Sequence, residues 1–113
     1  MIPKRGEVWL VSLDPVAGHE KAGTRPVFVL SVDAFIVGPS KLVTIVPITS
    51  KEWRENPFRI AIKRPAGGLS VTSYVIGEQI RTISRARMVR RMGKVSEKVL
   101  ASVADVPPDV LAL

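Results

Sequence analysis

Short apolar runs, none of helical length and several set off by glycine or proline turns, constrain the fold of this chain more than any other feature. Residues 7–13 mix β-branched, aromatic and polar side chains and read as a first strand. Residues 27–32 form a nearly continuous apolar run beside Asp33, short enough for a buried strand. Residues 42–48 form another, with Pro47 near its end, where a lost backbone donor is tolerable. Residues 50–57 are a polar loop. Phe58-Arg59-Ile60-Ala61-Ile62-Lys63 then alternates apolar and charged residues, the period of a half-exposed strand. A turn at 65–68 precedes a further strand at 73–77 that runs into Glu78. Short strands punctuated by glycine and proline predict a mainly β fold, a small barrel or sandwich.

The last third changes character. Residues 83–92 are basic and read as a helical turn followed by a short strand. Ser96 can cap a C-terminal helix in which Val99, Leu100, Val103 and Val106 keep helical spacing, and Pro107-Pro108 ends it. Without repeats or low-complexity stretches, residues 1–113 read as a single domain whose small core would gain from a dimer interface.

Composition removes several classes of function. Lys and Arg interrupt every candidate membrane span, and the N-terminus lacks the apolar core of a signal peptide. With no cysteine there is neither disulfide nor thiolate metal site, which fits a cytoplasmic protein; a lone histidine rules out a histidine-rich metal site. Seventeen Lys and Arg against ten Asp and Glu give a net charge of +7, a field that favours polyanions. Arg81, Arg85, Arg87, Arg90, Arg91 and Lys94 concentrate that charge, pointing to nucleic acid or an acidic protein.

Between the first two strand-like runs lies Gly18-His19-Glu20-Lys21-Ala22-Gly23-Thr24-Arg25-Pro26. It holds an imidazole, a carboxylate and a guanidinium in one glycine-flanked loop, and Arg25-Pro26 closes it because a residue before proline is driven into extended backbone. Acid, base and cation together suggest chemistry on a phosphate.

Three ordered stretches carry a more specific signal. Arg5 to Pro15, with Ala17-Gly18-His19-Glu20 and Gly23-Thr24-Arg25-Pro26, resembles the opening of the PemK/MazF family of toxin endoribonucleases. The similarity resumes at Val46-Pro47-Ile48-Thr49-Ser50 and at Glu78-Gln79-Ile80-Arg81-Thr82-Ile83. The resemblance implies a small SH3-like β-barrel with helices packed outside, a homodimer, single-stranded mRNA as substrate, and neutralisation by a cognate acidic antitoxin. It assigns catalytic roles to Arg25 and Thr49. Glu78 stands where relatives carry an acid–base carboxylate, whereas Ile76 replaces an arginine found in some of them.

RNA supplies its own nucleophile, the 2′-hydroxyl, so the protein needs only a base, a cation for the growing charge and an acid for the departing 5′-oxygen. No metal or other cofactor is required. Arg25 is the expected phosphate clamp, since a guanidinium grips two oxygens at once. Glu78 is the expected base, with His19 and Glu20 as a second proton-transfer pair. Arg81, Arg85 and Arg87 are expected at the RNA backbone, Trp53 as a stacking surface, and Ser50 and Gln79 beside them. Trp9, in a strand, is expected in the core. Two other readings stay open: a gyrase poison of the CcdB type, which shares the fold but acts through a tryptophan on its C-terminal helix, and a barrel that binds RNA without cutting it.

Overall fold

A computed structural model of the chain describes residues 2–12, 24–31, 41–52 and 58–105. Seven strands make one sheet: β1 (Glu7–Val11), β2 (Arg25–Val29), β3 (Leu42–Thr49), β4 (Arg59–Ile62), β5 (Ser73–Ile76), β6 (Arg81–Ser84) and β7 (Met88–Lys94). The order is β4-β5-β3-β2-β1-β7, with β6 paired to β3, and every pairing is antiparallel. One-turn 3₁₀ segments occupy Ala66–Gly68 and Arg85–Arg87, and one helix, α1 (Glu97–Ala104), follows β7.

Alternation builds the core. On β1, Val8 joins one apolar cluster while Trp9 and Val11 join the other; on β2, Phe28 is separated from Val27 and Val29 in the same way. Each such residue buried completely contributes about 1.5–3 kcal/mol. The first cluster is covered by α1 through Val99, Leu100 and Val103. Ser96 begins the helix as its sequence predicts, accepting the Val99 N–H at 3.3 Å. Val106 and the two prolines lie outside the described residues.

Two stretches differ from the sequence reading, and Pro47 falls near a strand end as expected. β2 starts at Arg25 instead of residue 27, because Arg25 pairs with Val11 and the extended backbone before Pro26 already belongs to the ladder. The basic stretch contains two strands, β6 and β7, around its helical turn. Pro47 lies in a strand paired on both sides. On one side β6 pairs with residues 42–45 and β5 with Ile48 and Thr49; Val46 and Pro47 pair only with β2. The proline therefore falls at a break in that ladder, where its missing N–H removes no bond.

The expected barrel is an open one: among the described residues no ladder joins β4 to β7. Backbone contact spans the gap instead. A Cβ on Gly68, whose φ is +73°, would lie 2.1 Å from the Met92 carbonyl oxygen, and one on Gly93 would lie 2.6 Å from the carbonyl carbon of Gly67. Only glycines permit so close an approach. It brings the β4–β5 connection onto β7 and raises one wall of the cavity described next.

Candidate active site

The register of β2 and β3 decides which side chains meet. Val27 pairs with Pro47, Phe28 with Val46 and Val29 with Ile45. Arg25 begins β2 and Thr49 ends β3, so antiparallel pairing of the two strands brings both to the same end of the sheet. Thr49 in turn pairs with Tyr74 on β5, and Arg25 with Val11 on β1. Two motifs far apart in sequence thus meet at one end of the β2–β3 pair.

Arg25 and Thr49 line a common cavity of about 570 Å³ with Ser50 and Lys51. Leu69, Ser70 and Val71 from the β4–β5 connection face them, with Met92 behind the glycine contact. Leu10, Pro26 and Ile48 make part of the surface apolar, and Ile76 lines the cavity as well. Arg25 is exposed, and no described residue holds its guanidinium in a hydrogen bond or ion pair. The Thr49 hydroxyl oxygen accepts the Lys51 N–H at 3.1 Å, which leaves its proton to donate. The Lys51 carbonyl accepts from Arg59 Nη1 at 3.1 Å. The turn after β3 is thereby pinned from both directions.

The remaining predicted residues are distributed differently. Glu78 is half-buried in the turn that follows β5, two residues beyond Ile76, and does not line the cavity. Gln79 is exposed and its N–H bonds the Ile76 carbonyl at 3.0 Å. Arg81 is exposed on β6 opposite Ile45, in the middle of β3. Arg85 and Arg87 occupy the 3₁₀ turn beyond it, and Arg87 Nη1 donates to the Ser12 carbonyl at 3.0 Å. None of these four lines the cavity. His19, Glu20 and Trp53 lie outside the described residues.

The sequence reading passed over Lys51, Arg59 and the serine-containing wall at 69–71. Lys51 could have been found, since it directly follows Thr49-Ser50; Arg59 could not, because only the fold carries it to the Lys51 carbonyl.

A second charged cluster sits within the core. Glu7 is 8% exposed, and its Oε1 accepts the Lys4 N–H at 2.8 Å and the Trp9 indole N–H at 2.9 Å. Arg91 Nε reaches Oε2 at 2.6 Å. Burial pushes this carboxyl up, but hydrogen bonds from Trp9, Arg91 and the Lys4 backbone, with the Arg91 charge, outweigh it and hold the group below its ordinary value. Trp9 is thus the core residue its strand position predicts. Among the described residues no group of three His, Cys, Asp or Glu could hold a metal, and no helix is long and apolar enough to cross a membrane.

Residues 4–106 match the family model described as PemK-like, MazF-like toxin of type II toxin–antitoxin system. The chain belongs to this family. Among PemK/MazF relatives it is similar to Endoribonuclease PemK of Escherichia coli, 40% identical over 101 residues that cover 88% of this chain and 75% of the relative. Endoribonuclease MazF9 of Mycobacterium tuberculosis is 36% identical over 104 residues, 88% of each chain. The crystal structure of MazF (Form-I) from Deinococcus radiodurans superposes with a TM-score of 0.72 at 30% identity, covering 99% of this chain and 94% of the other. The MazE-MazF (Form-III) structure from the same organism gives 0.78 at 27% identity, covering 100% and 99%. The PemK/MazF match takes in Arg25, Thr49 and every other candidate residue of this chain.

Proposed function

We propose that this chain is a toxin endoribonuclease that cuts single-stranded mRNA without a metal ion and so halts translation. The observation that carries the reading is that Arg25 and Thr49, brought to one end of the β2–β3 pair, line one cavity in a PemK/MazF family member. Arg25 grips the scissile phosphate, and the Thr49 hydroxyl, its oxygen already engaged by the Lys51 N–H, donates to a phosphate oxygen. The 2′-oxygen forms the new bond to phosphorus as its proton passes to a base. The bond to the 5′-oxygen breaks with its electron pair on that oxygen, which takes a proton from an acid. A 2′,3′-cyclic phosphate and a 5′-hydroxyl end result. Glu78 serves as the base, with His19 and Glu20 as the other proton carriers; Ser50, Trp53, Gln79, Arg81, Arg85 and Arg87 bind the flanking RNA.

In this reading residues 1–113 act as one domain in a cytoplasmic homodimer, held in check by a cognate antitoxin whose acidic segment covers the basic face. The MazE-MazF complex of Deinococcus radiodurans supports such a partner. A gyrase poison is not favoured, because relatives at 36% and 40% identity are endoribonucleases and both tryptophans precede α1.

Incubating the purified protein with a long mRNA transcript in excess EDTA, then mapping the ends, tests the reading. Discrete cuts bearing cyclic phosphate and 5′-hydroxyl ends are expected. A strict requirement for Mg²⁺, or binding without cleavage, would overturn it.

A further inference from the structure

We propose that Lys51 is a second catalytic cation, its ammonium placed on the scissile phosphate opposite the grip of Arg25; this rests on the ribonuclease reading above. A phosphodiester carries a single negative charge before reaction and acquires a second as the 2′-oxygen adds, so a lone guanidinium leaves the transition state short of positive charge. Among the described residues, Arg25 and Lys51 are the cations that line the cavity. Position 76, which also lines it, is isoleucine and supplies none.

The backbone of Lys51 is held on both sides. Its N–H is given to the Thr49 hydroxyl oxygen at 3.1 Å, and its carbonyl accepts from Arg59 at 3.1 Å. The same N–H that orients the threonine hydroxyl therefore anchors the root of the lysine, and residues 49–51 present a hydroxyl donor and an ammonium as one unit. Among the described residues nothing holds the Lys51 ammonium in an ion pair or hydrogen bond. Its flexible stem and three rotatable donors suit a phosphate whose oxygens move as the geometry changes from four to five substituents.

The test uses the full chain and an oligoribonucleotide spanning a junction mapped on the mRNA transcript. Single-turnover rates at saturating enzyme are compared for wild type, Lys51→Met and Lys51→Arg, with Kd for the same oligonucleotide made uncleavable by a 2′-O-methyl group at the junction. We expect Lys51→Met to lower the rate about tenfold or more while Kd changes less than about threefold, and Lys51→Arg to stay within about threefold of wild type. Because the side chain is exposed, all three should melt alike. A Lys51→Met rate equal to wild type, or a loss confined to Kd, would overturn the assignment and leave the ribonuclease reading standing. Failure of the wild type to cut any RNA would overturn both.

Discussion

Two charged clusters occupy this small sheet, and they use charge in opposite ways. Around Glu7 the carboxylate is buried and surrounded: a backbone N–H, an indole N–H and a guanidinium saturate it. Around Arg25 the guanidinium is exposed at a cavity and the neighbouring threonine keeps its proton available. The first cluster consumes its hydrogen-bonding capacity in tying β1 to β7 and the N-terminal segment. The second leaves its capacity for a ligand. Charge that the chain itself satisfies stabilises the fold, and charge facing open volume can act on a substrate.

The largest expected effect tests the open cluster. Arg25→Ala should lower single-turnover cleavage at least a hundredfold, about 3 kcal/mol of transition-state stabilisation once RNA covers the cavity and excludes water. A rate within threefold of wild type would remove Arg25 from the mechanism. Glu78→Gln should lower the rate about a hundredfold, within the range for general acid–base catalysis, and His19→Gln about tenfold. If His19→Gln is the more damaging change and removes a limb of the pH–rate profile near about 6.5, the histidine is the base and the turn after β5 is not part of the reacting site.

Glu7→Ala tests the closed cluster. It strands the buried Trp9 N–H and the Lys4 N–H, so stability should fall by about 2 kcal/mol, with little from the ion pair itself because the Arg91 side chain is 42% exposed. Melting within a degree of wild type would show that the cluster contributes nothing. The smallest effect concerns pH. A carboxylate whose folded pKa is depressed stabilises fully above its unfolded value, about 4.3, and loses that contribution as pH falls through the folded value. The gap in urea midpoint between wild type and Glu7→Gln should therefore be open at pH 7 and narrow at about pH 3. A gap independent of pH would sever the carboxylate charge from the stability of the cluster.

Local patterns made most of the fold legible. Short apolar runs predict most of the strands, alternation the one at 58–63, and Ser96 the helix start, while the family motifs single out Arg25 and Thr49, which line one cavity. What escaped was non-local. Glu7 and Arg91 are 84 positions apart, and nothing in either neighbourhood marks the pair. The basic stretch from Arg81 to Lys94 reads as one patch because its residues are adjacent in sequence. The fold divides it: Arg87 is bonded to the Ser12 carbonyl, Arg91 is paired with Glu7, and Arg81 lies exposed on β6. Pro47 lies near the end of its strand, where the sequence reads a lost donor as tolerable, and the handover from β6 to β5 shows how a strand with two neighbours accommodates it. Arg25 closes a loop by its sequence but opens β2 in the fold, and it lines the same cavity as Thr49.

The central claim is that function and stability reside in separate clusters, so the decisive measurement takes both quantities on both variants. Melting temperature and saturating single-turnover rate would be recorded for Arg25→Ala and Glu7→Ala in one buffer at a temperature where both are folded. Arg25→Ala should melt within about 2 °C of wild type while cutting at least a hundredfold more slowly, and Glu7→Ala should melt several degrees lower while cutting within about threefold of wild type. Arg25→Ala melting far below wild type, or Glu7→Ala cutting a hundredfold more slowly while still folded, would contradict the division.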